Sequence, residues 1–271
     1  MRRAIVEMTL LGIAGGALGC WVVLYELSYA AESLAHSIFP GLVIAAIAGV
    51  PLLLGAAPAI VLAALAIAVA ARLPGVSRDV GVAVVVTTMF GLGVLLALSP
   101  DSPPGIETLL FGDILGPTDA DLASAAALVV VVAAALTLLH GRLLATGFDR
   151  GSARALGLSP ALADAALLVL LAAAIVVAVQ GLGNLLVVAV FVGPAASARR
   201  LSDRTGPMIA IAAVIAVLAG LAGLYLSYYA GTAGGASVAL AIVAFYLLSL
   251  PLGRLRALRP VRRPLAEATI V

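Results

Sequence analysis

The chain has no lysine, and all fifteen of its basic residues are arginine. A phosphate-binding P-loop needs a lysine to reach the β- and γ-phosphates of a nucleotide, so ATP hydrolysis of that type is excluded and any ATP energy must come from a partner. Charge is scarce altogether, at 10% of 271 residues, where soluble domains carry about a quarter. The single cysteine, Cys20, excludes an internal disulfide and reads as a small buried hydrophobe beside Trp21. No basic patch interleaved with aromatics offers nucleic acid a surface. His-Glu-x-x-His, Gly-x-Ser-x-Gly and paired intramembrane aspartates are missing too, which leaves the common intramembrane enzyme chemistries without their residues.

What is present is apolar. Hydrophobic residues make up 64% of the chain and the mean hydropathy is +1.24, values of an integral membrane protein. Apolar segments fall at about 4–24, 32–50, 54–72, 79–98, 122–142, 162–180, 183–199, 207–227 and 236–252, with no polar domain between them, so the expected fold is all-α, a polytopic transmembrane helical bundle. Arg2-Arg3 before an apolar run resembles a signal peptide, but Glu7 interrupts the run and it reaches Val23, which suits a first span better.

Arginines mark alternate connections: Arg72 and Arg78; Arg142, Arg150 and Arg154; Arg199, Arg200 and Arg204; then Arg254, Arg256, Arg259, Arg262 and Arg263. These are expected on the cytoplasmic side, with residues 254–271 as a basic cytoplasmic tail after a membrane domain of residues 1–253. The connection 99–121 carries Asp101, Glu107, Asp113, Asp119 and Asp121 without a basic residue, and reads as external. Arg2-Arg3 argues for an internal N-terminus as well. Nine full spans cannot place both termini inside, so about eight crossings are expected, with one segment broken or re-entrant. The stretch 26–50 is the expected one, since it holds Pro40 and a charged pair.

That pair is Glu32 and His36, four residues apart and therefore on one face of a helix. Charge inside a bilayer costs at least about 2.5–3.5 kcal/mol for Asp on insertion scales and is usually kept for a task. One reading is a solvated interfacial carboxylate with a histidine bonded to nearby backbone. The other is a transient site for a divalent first-row metal, to which imidazole and carboxylate are both suited. Two ligands bind weakly, which a conduction path requires. Pro40 also has no N–H for the carbonyl of His36. His140, beside Arg142, is expected at the cytoplasmic interface without a metal role. Gln180 and Asn184 flank a Gly-x-Gly turn on the external side.

Five stretches, in order, resemble the permease subunits of bacterial zinc and manganese ATP-binding-cassette importers, the ABC-3 metal-permease family. They are Glu32-Ser33-Leu34-Ala35-His36-Ser37 with Pro40-Gly41; Leu110-Phe111-Gly112-Asp113-Ile114-Leu115-Gly116; Phe148-Asp149 through Arg154-Ala155-Leu156-Gly157; Leu186-Val187-Val188-Ala189 through Gly193-Pro194-Ala195-Ala196, followed by Asp203-Arg204; and Leu226-Ser227-Tyr228-Tyr229 with Gly234-Gly235-Ala236. The resemblance implies a type II importer-like permease in the bacterial inner membrane. It implies a homodimer or paired permeases in the lipid bilayer, cytosolic ATPase subunits and an external metal-binding lipoprotein. Glu32 and His36 would line the path of a transported ion, zinc first and manganese next, with no tightly bound cofactor. Phe148, Asp149, Arg154, Ala155, Leu156 and Gly157 would form the loop that couples to the ATPase. The family usually has aspartate where Glu32 stands, so the carboxylate here reaches one methylene further. Rival readings are a stand-alone proton-coupled secondary transporter and an ABC permease for metal chelates.

Overall fold

The computed structural model describes residues 1–70, 78–100, 102–106, 108–112, 114–184 and 186–257. Arg72, Asp101, Glu107, Asp113 and the tail beyond residue 257, all used in the topological reading, lie outside them. Eleven helices follow one another: α1 (Arg2–Leu24), α2 (Ser28–Ala48), α3 (Leu52–Ala70), α4 (Arg78–Ala97), α5 (Thr108–Phe111), α6 (Asp119–Phe148), α7 (Arg150–Ala155), α8 (Pro160–Leu182), α9 (Val187–Leu201), α10 (Thr205–Ala230) and α11 (Gly234–Ala257). Nine of them coincide with the nine apolar segments. The short α5 and α7 fall in connections. Among the described residues seven helices are long and apolar enough to cross a membrane, and α3 contributes a shorter apolar helix.

Local chemistry sets the helix ends. At the start of α6 the Thr118 hydroxyl accepts from the amide of Asp121 at 3.2 Å, while the Asp121 carboxylate accepts from the amide of Thr118 at 2.8 Å, a reciprocal capping box. Ser159 caps α8 and Pro160 occupies its first turn, where the missing N–H costs nothing. Gly49 and Gly231 end α2 and α10 in the left-handed conformation.

Packing follows the small residues. In lipid the hydrophobic effect does not drive helices together, so close backbone approach and dispersion must hold them. The two Gly-x3-Gly patterns of α1 serve two neighbours: Gly12 and Gly16 receive the backbone of α10 at Ala216–Val217 and Ala212–Ala213, and Gly15 and Gly19 receive Phe191 of α9. Helices α1, α9, α10 and α11 form one group, α2, α3 and α4 another; α8 touches both, and α6 packs on α1 and α8. Gly41 of α2 and Gly55 of α3 meet face to face, each leaving no room for a Cβ on the other.

The helices run back and forth between two ends. At one, the Tyr25 hydroxyl donates to the carbonyl of Leu143 at 2.8 Å, Arg150 lies over the Tyr25 ring, and Arg256 pairs with Asp203 at 3.1 Å. This is the arginine-rich end. At the other, Arg3 pairs with Asp119 at 2.9 Å. The N-terminus therefore lies at the acidic end, opposite Arg256. Arg2-Arg3 does not mark the same face as the other arginines, as the sequence suggested, because its partner is the carboxylate that opens α6. The reason for expecting a re-entrant 26–50 lapses with it. Helix α2 is continuous through Pro40. The shortest of the nine is α9, with 15 residues, about 22 Å long against a hydrocarbon core of about 30 Å.

Candidate functional site

Helix α2 begins at the arginine-rich end, so Glu32 lies about one turn into it and His36 about 12 Å along a helix of about 30 Å. His36 is near the middle of the bundle. A continuous helix keeps the two side chains on one face, as their spacing required. Glu32 is exposed and His36 half-buried. The His36 ring lies 4.8 Å from that of Phe90 on α4, and its Nδ1 is buried without a hydrogen-bond partner. An imidazole nitrogen left unpaired in an apolar wall is costly, and an arriving ion or proton removes the cost. Gly93 of α4 lets the backbone at Phe39–Pro40 approach, since a Cβ there would stand 2.9 Å from the Pro40 nitrogen. Pro40 deprives the His36 carbonyl of its usual amide partner within the helix.

Among the described residues no three His, Cys, Asp or Glu side chains converge. Glu32 and His36 thus stand as a pair on α2 without a third side chain of these types beside them. A cavity of about 390 Å³ runs along the adjacent face of α2, with Ser33 and Ser37 on one wall and Ile60 and Ala64 of α3 on the other. Ser33 satisfies itself on the carbonyl of Tyr29 at 2.8 Å.

At the acidic end a cavity of about 490 Å³ is lined by Leu110 and Gly112, Leu186, and Gly234, Gly235 and Ala236. The second, fourth and fifth of the sequence stretches meet there, although residues 112 and 234 are far apart in the chain. Gly112, at φ 78°, packs on the backbone of Gly181–Gly183 where α8 breaks before α9. The amide of Asn184 donates to the carbonyl of Leu109 at 2.9 Å.

The stretch from Phe148 to Gly157 forms a small capped unit at the arginine-rich end. Asp149 accepts from the amide of Gly151 at 2.8 Å and from the Ser152 hydroxyl, and these bonds hold its carboxyl below the usual carboxylate range. Ala153 is buried, and Arg150 makes a bidentate pair with Asp164 at 2.9 and 3.1 Å. Gly157 ends the unit at φ 76°. Phe148 and Leu156 project outward, 94% and 74% exposed, while Arg154 and Ala155 are exposed between them. The unit is hydrogen-bonded beneath and exposes two large apolar side chains beside Arg154 on its outer surface.

Two residues gained importance only from the structure. Glu7, noted in the sequence only as an interruption, is 5% exposed with its carboxylate against Gly181 of α8. Asn184, read as a turn residue, is fully buried, and neither atom of its amide group has a hydrogen-bond partner. A polar residue inside an apolar run was the signal for Glu7. Nothing in the sequence marked the depth of Asn184. His140 is exposed, with its ring edge-on to Trp21 at 5.7 Å.

Residues 1–253 match the ABC 3 transport family. The chain belongs to that family. Its relatives in the ABC 3 transport family include the manganese transport system membrane protein MntC of Listeria monocytogenes, 28% identical over 79% of this chain and 76% of that protein. The chelated iron transport system membrane protein YfeC of Yersinia pestis is 32% identical over 78% of this chain and 72% of that protein. Among solved structures, PsaBC from Streptococcus pneumoniae in complex with Fab superposes with a TM-score of 0.88 at 27% identity, covering 96% of this chain and 95% of the matched one. The five ordered stretches therefore pointed to the right family, and the helical bundle is its fold.

Proposed function

We propose that this chain, a permease of a bacterial ABC metal importer by its family, carries a divalent first-row transition ion from the acidic, external end of the bundle to the arginine-rich, cytoplasmic end. Manganese is the first candidate cargo. Sequence alone favoured zinc, but relatives are named for manganese and chelated iron, and an imidazole with a carboxylate suits manganese as well as zinc.

The observation that carries this reading is the Glu32–His36 pair: an unpartnered imidazole nitrogen near mid-membrane, with an exposed carboxylate one turn away. An ion held by two ligands keeps water or takes ligands from elsewhere, and a second copy of the chain facing the first supplies a second pair. Such a site is loose enough to release its ion. An external metal-binding lipoprotein delivers the ion at the acidic end. Two cytosolic ATPase subunits dock on the Phe148–Gly157 units, and closure of the ATPase dimer on ATP moves those units and switches the path between the two faces.

The test is ATP hydrolysis by the permease reconstituted with its ATPase subunits, with manganese, iron and zinc supplied separately through the delivery protein. Manganese stimulates hydrolysis in the wild type and not in His36→Ala. Stimulation that persists undiminished in that variant counts against the ion site, and a chain that accumulates ions without any ATPase belongs to the secondary-transporter class instead.

A further inference from the structure

At the arginine-rich end a cavity of about 540 Å³ lies between the ends of α1 and α6 and the α9–α10 connection. We infer that it binds the phosphate headgroup of an anionic phospholipid through Arg199 and Arg204, with the lipid's acyl chains lying against Leu24 and Leu144.

Charge comes first. Arg199 and Arg204 both line the cavity, both are exposed, and among the described residues neither guanidinium has an ion-pair partner. The acid beside them, Asp203, is occupied by Arg256 at 3.1 Å. The cavity therefore presents two uncompensated positive charges. Helix α10 begins here, at Thr205, with no side-chain cap on its first turn, so the positive end of a 26-residue helix adds to the same field. A third observation is independent of charge. Trp21 forms part of the wall, is 1% exposed, and its indole N–H has no hydrogen-bond partner, an unmet donor on a residue that lines the same cavity as the arginines. The nearby phenol of Tyr25 is committed to the carbonyl of Leu143, and His140 touches Trp21 only edge-on.

Apart from Gly147 and Thr205, the rest of the wall is apolar: Leu24, Leu143, Leu144 and Phe148. Free phosphate needs no such surface, whereas a lipid does. On helix α1, Val6 and Ile13 are 48% and 39% exposed, and Ala17 and Leu24 further along the helix are partly exposed. Leu144 of α6 is 38% exposed at the cavity mouth. Chains can thus run along the membrane-facing groove while the phosphate sits on the arginines at headgroup level. Phe148 belongs both to this wall and to the Phe148–Gly157 unit, so an occupied cavity braces that unit from the membrane side.

Trp21 is the only tryptophan in the chain, which supplies the probe. The full chain is placed in nanodiscs of phosphatidylcholine containing phosphatidylglycerol brominated in its acyl chains, and Trp21 fluorescence is followed. Brominated phosphatidylglycerol should quench at low mole fraction, brominated phosphatidylcholine only at much higher fraction. The Arg199→Gln/Arg204→Gln variant, altered only at exposed side chains, should need about tenfold to thirtyfold more phosphatidylglycerol for the same quenching, the loss expected for two arginines near a headgroup. Equal quenching by both lipids, or a variant that behaves like the wild type, overturns the inference. Inorganic phosphate added in the aqueous phase distinguishes the source: a change in Trp21 emission at millimolar phosphate in nanodiscs of phosphatidylcholine alone, without preferential quenching by brominated phosphatidylglycerol, assigns the cavity to a soluble anion and rejects the lipid.

Discussion

The guanidinium of Arg3 lies 2.9 Å from the carboxylate of Asp119, joining the first residues of the chain to the start of α6. Both side chains are largely exposed, so the pair adds little stability. Its value is as a marker of which end of the bundle holds the N-terminus. Single cysteines at Arg2 and at Ser102, in a Cys20→Ala background, are therefore expected to react with a membrane-impermeant maleimide from outside intact cells. Cysteines at Gly151 and Leu156 are expected to react only after the membrane is opened. Protection of position 2 in intact cells, with position 102 labelled, would place the two at opposite faces and break the pairing.

The contact of Gly41 with Gly55 fixes α2 against α3, and α2 carries Glu32 and His36. Gly41→Leu forces the two backbones apart and is expected to cost about 1–3 kcal/mol, read as a lower midpoint of thermal unfolding in detergent with reduced uptake. Gly91→Ala, at a glycine with open space around it, is the matched control and should leave both unchanged.

The outward side chains of the Phe148–Gly157 unit are expected to anchor the ATPase. Buried interface anchors of this size cost more than about 1 kcal/mol each on truncation. Phe148→Ala and Leu156→Ala should each weaken copurification of the ATPase by about fivefold or more, with the permease itself still monodisperse. Undiminished copurification in the double variant would move the docking surface elsewhere.

The Asp149 cap has a defined pH signature. Its carboxyl titrates below the ordinary range because the Ser152 hydroxyl and the Gly151 and Ser152 amides bond the charged form. The contribution is therefore complete above the unfolded value, about 3.9, and is lost as pH falls through the lower folded value. Amide exchange at Gly151, corrected for its intrinsic pH dependence, should show constant protection from pH 8 to pH 5. Protection that falls between pH 7 and pH 6 would contradict the cap.

Much of this was legible in the sequence because lipid leaves few choices. Each apolar segment had to be a helix, and nine segments became nine helices. The Glu32–His36 face followed from a spacing of four, whereas the Asp149 cap of α7 emerged only from the structure. Topology at the N-terminus was not legible. Arg2 and Arg3 count as cytoplasmic by their charge, and only the three-dimensional approach of Asp119, more than a hundred residues away, places them at the acidic end. The same holds for the cavity at the acidic end, where nothing in the separate stretches around Gly112 and Gly234 says that they meet until α5 settles onto the break between α8 and α9. Burial of Asn184 is a property of that packing rather than of its neighbours in sequence.

The central claim is that His36, with Glu32, handles the transported ion. It is tested most directly by uptake of radioactive manganese into proteoliposomes containing the complete transporter with wild-type permease, His36→Ala or Glu32→Gln, at saturating ATP and delivery protein. The account predicts that His36→Ala abolishes uptake and Glu32→Gln reduces it at least tenfold, while both variants retain the ATPase subunits. Wild-type uptake rates in His36→Ala would contradict it.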